Sequence, residues 1–537
     1  MRVIGRFGLG LGFGQGAAGS VNLIGIPGTL GFGGGIAPAL PSGFAAVAGN
    51  TNPAGDTYAN YEHVDGGTHV YRPKGYYRIG HADNPTYPVY GVNSIDIKGV
   101  DTFPTTAAAN AAGYALGRPF IDGGVEKDGY FTMRYQASKK AKGTGFVATS
   151  VKNALPLSTS NVHNQILDIT AAGANAYYAA INAAKGITGA NGILDAASPF
   201  FCESLPIKQW EAMLSLAHGQ AATSTAVCAW YDANGVTNFP KGCNNNALKD
   251  ANDTVVTWES DGYSNCGKTG SAGFGGGAGN VFAKSTVSGQ PWDVADRNGL
   301  MWEIAIGMTA ITTSPAIAGM TQANPCVVTV TGHGLTSGDP VQVNSITQAD
   351  WVGAKDKIYA ATVIDENTFS IAFDASAFAT PYDAGTDPGT VTIGTFYAAK
   401  ESTTMTSFTS GSALATDHWG ATGVAALMEE IAFPFVSAGG FGQRWGSAAN
   451  QVFSEAVSGA GYQATGFGLP KDGNGLSAAG SSLMGQDYYY QYLRNELCPL
   501  VSGNWGGSAV AGVWCRYWYS GRTYSSYDVG FRCACYL

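Results

Sequence analysis

A chain of 537 residues with 45% hydrophobic residues is long enough for several domains, each with its own core. Only 12% of the residues are charged, glycine reaches 76, and the formal net charge is −9. That balance excludes a disordered chain and argues against general nucleic-acid binding, which needs a basic stripe; it suits a rigid, loop-rich extracellular or virion protein.

Residues 1–57 are Gly-rich and nearly free of charge. Stretches such as Gly8-Leu9-Gly10-Leu11-Gly12-Phe13 cannot hold a helix. Glycine at nearly every second position also breaks the apolar core that a signal peptide needs. The segment reads as a linker or as an arm that orders against other chains or a virion partner. The interleaved Val3, Ile4, Phe7, Phe13, Leu23, Ile24, Ile26 and Leu30 favour the arm.

From about Tyr58 the pattern becomes globular. Val89 to Ile97 reads as a strand. Thr105 to Leu116 reads as a helix with Thr105 or Thr106 as its N-cap, and Ala174 to Lys185 as a second helix. Ser204 to His218 carries the clearest helical pattern. Ile207, Trp210, Met213, Leu214 and Ala217 recur on one side, and Gly219 is placed to cap the end.

Between 316 and 397 short β runs alternate with turn clusters, which predicts a small all-β module. The segment from Ile317 to Pro325, then Val328-Thr329-Val330-Thr331-Gly332-His333-Gly334-Leu335-Thr336-Ser337-Gly338-Asp339, resembles a small β-barrel module repeated in phage tail proteins, similar to the FCCH-type domain of ubiquitin-activating enzymes. The resemblance implies a spacer, with His333 as a turn residue. After Phe396 the earlier style resumes: His418 to Phe433 reads as a helix ended by Pro434, and a strand-rich, aromatic-rich tail follows. The module thus reads as an insertion splitting one larger domain.

No run of about 18 apolar residues is present to cross a membrane as a helix. The 9 cysteines show no zinc-finger spacing and read mostly as buried, reduced thiols. Cys533 and Cys535 are expected on opposite faces of a strand and unbonded to each other. Lys139, Lys140 and Lys142 form the densest basic cluster and read as a solvated loop.

Two distant motifs belong together. One is Trp292-Asp293-Val294-Ala295-Asp296-Arg297-Asn298-Gly299-Leu300-Met301-Trp302-Glu303; the other is Val529-Gly530-Phe531-Arg532-Cys533-Ala534. They resemble the C-type-lectin-like fold of formylglycine-generating sulfatase-modifying enzymes and of the variable proteins of diversity-generating retroelements. There a "D-x-x-GN-x-WE" strand is central and a "GFR" strand closes the domain beside the N-terminal strand; here the Asn298-Gly299 order is inverted. Trp302 and Phe531 are expected as large buried anchors. Arg532 and Glu303 are expected as a buried ion pair, since neither is tolerated alone.

The oxidase branch of the resemblance is disfavoured. Cys515 stands where one of that family's copper-binding cysteines falls, but Ser520 stands where the other falls. A single soft thiolate is a poor Cu(I) site. No HExxH, GxSxG or P-loop pattern is present. Gly14-Gln15-Gly16-Ala17-Ala18-Gly19 matches GxGxxG without its strand and helix. The expectation is a protein that is not an enzyme and uses no cofactor or metal.

The segment from Asn504 to Asp528 is similar to the retroelement pattern "W-x-x-G-x-x-AG" followed by "R-S-x-S" and "VGFR". On that match Ala511, Gly512, Arg522, Thr523, Ser525 and Val529 to Arg532 are scaffold. Gly506, Gly507, Arg516, Tyr517, Tyr519, Tyr524, Ser526, Tyr527 and Asp528 fall at exposed, variable positions, and Trp518 joins them as a candidate ligand contact. Alternation puts Arg516 and Trp518 on one face and Tyr517 and Tyr519 on the other, so at least one pair is expected exposed. Tyr and Trp offer contact area at low entropic cost, as in a paratope.

The expected fold is α+β: a C-type-lectin-like domain (58–315 and 398–537) interrupted by a small all-β barrel module (316–397) and preceded by the Gly-rich arm (1–57). The expected function is a virion tail-associated adhesin that binds a host-cell surface receptor, protein or glycan, through its C-terminal face. By the same resemblance it is a homotrimer; the composition of the arm points to attachment to other virion tail proteins, the net charge of −9 to no nucleic-acid partner, and the lack of a long apolar run to no membrane insertion. The alternative is a structural tail or capsid decoration protein bound to another virion subunit.

Overall fold

A computed structural model describes residues 22–160, 164–169, 176–229, 231, 286–297, 299–400, 428–431, 442–446, 450–477, 484, 487–504, 507 and 510–537. The described chain is a β-rich α+β structure. Six strands pair antiparallel in the order Phe44–Ala46, Asn60–His63, Gly67–Pro73, Gly129–Met133, Cys533–Tyr536 and Phe200–Cys202. The last strand of the chain therefore lies between two early ones, with Ala534 opposite both Thr132 and Phe201.

Strand alternation sorts the side chains of this sheet into two cores. Ala534 and Phe201 face a core built around the helix Leu205–Ala221; Cys533, Cys535, Phe200 and Phe131 face another, which includes the helix Ala176–Gly186. Cys533 and Cys535 thus share a face, contrary to expectation, because side chains two apart on a strand point the same way. All seven described cysteines are buried. Burial pushes the thiols of Cys498 and Cys535 up to about 12.

The Leu205–Ala221 helix is buried along its whole length except at Ala221, and it continues past Gly219. A one-sided periodicity understates it, because strands and loops cover both sides and the neighbouring core continues its packing. Its polar residues survive burial only through partners. Lys208 reaches Glu203 and Glu303, and Glu211 accepts from Arg72 Nε at 2.8 Å and from the Tyr130 hydroxyl at 3.0 Å.

The expected Glu303–Arg532 pair is present, with Arg532 Nε 2.8 Å from Glu303 Oε1 and both side chains fully buried. It is one edge of a larger network. Gln136 Nε2 donates to Glu303 at 3.1 Å, Arg297 lies 2.7 Å from Glu203, and Arg532 Nη1 donates to the Arg134 carbonyl at 2.9 Å. A second buried network joins Arg72 to Glu211, to Asp293 and to the Gly33 carbonyl.

The Gly33 contact bears on the arm. Residues 22–57 pack into the domain of their own chain: Ile24 and Phe32 are fully buried, and Phe32 stacks on His218 at 5.5 Å. A Cβ at Gly34 would meet Trp292 at 2.6 Å, so a larger residue would lift this segment off the core. The arm expected to reach other chains is therefore, from residue 22 onward, part of the globular unit; residues 1–21 lie outside the described residues.

Other local expectations shift for physical reasons. Thr105 does cap a helix, its Oγ1 accepting from Ala108 N at 3.2 Å, but that helix is only Thr106–Ala111. Gly113, at φ 78°, turns the chain so that Ala115–Leu116 pairs with Tyr76 and Tyr77. Within the predicted strand from Val89 to Ile97, Tyr87–Tyr90 and Gly91–Asn93 are helical turns, and only Ile95–Gly99 is a strand. The expected helix over 418–433 lies mostly outside the described residues; where it is described, Met428–Glu430 is a strand on Thr390–Ala399.

The chain enters the region around 316–397 through Met308–Thr313 and leaves through Thr390–Ala399, which pair antiparallel with Met308 opposite Ala398. Between them lies a separate core around Trp351, Val341, Phe369 and Val391. Its strands form two open sheets and no closed barrel, which corrects the barrel expectation. His333 acts within a turn: its Nδ1 accepts from Leu335 N at 3.0 Å.

Candidate ligand-binding face

A second sheet of seven strands runs in the order Leu476–Ser477, Gly442–Trp445, Tyr488–Gln491, Arg516–Trp518, Leu500–Val501, Trp302–Ile304 and Val529–Gly530. Its centre pairs two aromatic-rich strands in parallel, setting Tyr489 beside Arg516, Tyr490 beside Tyr517 and Gln491 beside Trp518. Alternation then divides the residues. Tyr489, Arg516 and Trp518 point inward and are fully buried, whereas Tyr488, Tyr490 and Tyr517 are half-buried on the other face.

Arg516 and Trp518 are therefore corrected from candidate ligand contacts to core residues. Trp518 belongs to the core cluster of Trp445, Tyr489 and Trp514. Arg516 donates to Gln209 Oε1 at 2.8 Å and to the Val513 carbonyl at 3.0 Å. Among the described residues no carboxylate lies within salt-bridge distance of it, and burial lowers its pKa to about 10.

The outer face is a tyrosine ladder. Tyr488 stacks on Tyr490 with centroids 5.4 Å apart and 29° between planes, and Tyr490 on Tyr517 at 5.0 Å and 25°. Tyr519 meets Tyr517 at 5.6 Å, Tyr490 at 5.4 Å and Tyr492 at 5.0 Å. Trp302 closes one end, 5.0 Å from Tyr517. It is only partly buried, so the anchoring role expected of it falls instead to Trp292 and Phe531, which are buried. Offset and tilted ring pairs at such distances add ~0.5–1.5 kcal/mol each beyond area burial. Burial, reinforced by the neighbouring phenols, raises the pKa of Tyr490 to about 12. Tyr490 therefore presents a neutral hydroxyl at physiological pH.

Two guanidinium groups lie over the ladder. Arg444 sits 4.8 Å from the Tyr488 ring centre; Arg494 sits 4.6 Å from that of Tyr519 and 5.2 Å from that of Tyr492.

The loop from Ser520 to Asp528 forms the rim. Tyr524 and Tyr527 are exposed, at 45% and 54%. Ser526 and Asp528 are half-buried, and Asn504 Nδ2 donates to Asp528 Oδ2 at 2.5 Å. Thr159 clamps this loop: its Oγ1 accepts from Ser526 N at 2.9 Å, and its backbone N donates to the Val529 carbonyl at 2.8 Å. Arg522, expected as scaffold, is buried and donates to Thr309 Oγ1 at 3.0 Å and to the Tyr178 hydroxyl at 3.3 Å. Gly512 is a scaffold position for a steric reason. A Cβ there would overlap the Asp487 carboxylate, which accepts from Trp514 N at 2.9 Å. Gly507 is half-buried and donates its N–H to the Asn504 carbonyl at 3.0 Å; Gly506 lies outside the described residues.

Of the ten candidate contacts, Tyr517, Tyr519, Tyr524, Ser526, Tyr527 and Asp528 thus gather on one side of the sheet and its rim. Tyr488, Tyr490, Tyr492, Arg444 and Arg494 belong with them and were missed. Their signal was legible: Tyr488, Tyr490 and Tyr492 alternate at the strand period. The sequence matches no protein-family model and no curated protein.

Proposed function

We propose that this protein is a virion adhesin that meets its host-cell receptor on the tyrosine ladder and the Ser520–Asp528 rim. The observation that supports this most is the placing of five half-buried tyrosines on one face, with their strand neighbours Tyr489, Arg516 and Trp518 fixed in the core beneath. A rigid scaffold carrying aromatic side chains that can form contacts without ordering cost is the physics of a paratope. The lectin-like resemblance of the Trp302-Glu303 and Phe531-Arg532 motifs supports the same reading, as does the separation of scaffold from rim around Gly512 and Arg522. Diversification by a retroelement and a homotrimeric state belong to the proposal by that resemblance, and attachment through residues 1–21 by their Gly-rich composition with interleaved apolar residues; three copies would add avidity to weak single-site contacts.

The test is the triple substitution Tyr490→Ala, Tyr517→Ala and Tyr519→Ala. Particles carrying it are expected to assemble normally and to adsorb to host cells at least about tenfold more slowly, each aromatic contact contributing on the order of 1 kcal/mol or more. Failure to assemble, with the isolated chain still folded, would favour a decoration protein that binds another virion subunit.

A further inference from the structure

The chemistry of the ladder narrows its ligand. In the stacked pairs Tyr488–Tyr490 and Tyr490–Tyr517, each ring covers part of its neighbour's face. The apolar ring faces that would grip a hydrophobic side chain are thus partly occupied by each other. The hydroxyls of Tyr488, Tyr517 and Tyr519 make no hydrogen bond with described residues, and none is a buried atom lacking a partner, unlike those of Tyr76 and Tyr77. They are open to a ligand as both donors and acceptors.

The cations point the same way. Elsewhere in this chain the buried arginines Arg72, Arg297 and Arg532 have carboxylate partners, and buried Arg516 donates to Gln209 and the Val513 carbonyl. Among the described residues Arg444 and Arg494 have none within salt-bridge distance. Arg494 is pinned over two tyrosine rings, with its Nε buried and lacking an acceptor. The carboxylate of Asp356 acts on Tyr490 and Tyr492 but makes no ion pair with either arginine among the described residues. A guanidinium held over aromatic rings by cation–π contact loses little further freedom when its fork meets a carboxylate or sulfate.

We infer that the ligand of this face is an acidic glycan, its hydroxyls meeting the tyrosine hydroxyls of the ladder and an anionic substituent meeting Arg494, with Arg444 marking the other end. This rests on the adhesin reading and deepens it.

The experiment measures binding of the full chain to polygalacturonate (carboxylate), heparin (sulfate), neutral dextran and poly-L-glutamate, at low and high salt. At least one acidic polysaccharide is expected to bind, more weakly in salt, with dextran and polyglutamate at least about tenfold weaker. Arg494→Gln, checked for an unchanged melting temperature, is expected to reduce that binding at least about tenfold, and Arg494→Lys to restore part of it. Equal binding of dextran would overturn the role of charge, and tighter binding of polyglutamate would favour an acidic protein. No binding of either acidic polysaccharide, or full binding by Arg494→Gln, would overturn the inference. Host adsorption separates the two claims. If Arg494→Gln adsorbs normally while the triple tyrosine variant does not, the adhesin reading stands and the acidic-glycan inference falls.

Discussion

Replacing Glu303 with alanine is expected to destabilise the protein by about 3–5 kcal/mol, because it leaves buried cations uncompensated. Glu303 accepts from Arg532 Nε at 2.8 Å and from Gln136 at 3.1 Å, contacts Lys208, and lies 3.9 Å from Arg297. All of these side chains are buried, so solvent cannot take over the lost interactions. Urea unfolding followed by fluorescence measures the change. Glu430→Ala, at an exposed position, serves as a control expected to shift stability by within about 0.5 kcal/mol. A Glu303→Ala loss no larger than the control's would show that the network does not hold the two motifs together. Acid adds a second signature. Burial alone would raise the Glu303 pKa, but Arg532, Lys208 and Arg297 outweigh it and hold the carboxyl well below its ordinary 4.5. A depressed folded pKa stabilises above the unfolded value and loses that contribution as pH falls toward the folded one. The gap between the native protein and Glu303→Gln is therefore expected to shrink as pH falls below about 4.5.

Trp518 and Tyr517 are neighbours in sequence with opposite expected phenotypes. Trp518→Ala is expected to cost about 3–5 kcal/mol of stability, since it empties a fully buried site in the core cluster that also holds Tyr489 and Trp514. Tyr517→Ala removes a half-buried ring whose contacts are mainly with other ladder residues, and about 1 kcal/mol is expected. Receptor binding should show the reverse order once the Trp518 variant is compared at a temperature where it is folded. Thermal unfolding of the two variants settles the order; equal losses would mean that Tyr517 is as much a core residue as Trp518.

The sequence was most informative where a residue's chemistry restricts it to few environments. Arg532 and Glu303 are tolerated inside only as partners, and they are partners. Gly512 and Arg522 stand at scaffold positions for reasons visible in the contacts of Asp487, Thr309 and Tyr178. Legibility failed where register and long-range packing decide. Alternation divided Arg516 to Tyr519 into two faces, but only the pairing with Tyr488–Gln491 shows that Arg516 and Trp518 form the inner one. The same pairing brings Tyr490 beside Tyr517 from a strand distant in sequence. The segment from Asn22 onward read as an arm because its interleaved apolar residues, among flexible glycines, suggested packing against another chain. In the fold, Gly33 and Gly34 instead permit close approach to Arg72 and Trp292. Met428–Glu430 carries a helical pattern yet pairs as a strand with Thr390–Ala399, a tertiary contact that overrides local preference.

The central claim, that the ladder face meets the receptor, is tested most directly by chemical footprinting. Tyrosine iodination of the full chain, with and without receptor-bearing host envelope, is read residue by residue by mass spectrometry. Protection is expected at Tyr488, Tyr490, Tyr517 and Tyr519 and at the rim residues Tyr524 and Tyr527, with exposed-loop tyrosines away from this face unchanged. Undiminished labelling of the ladder while another surface becomes protected would contradict the account.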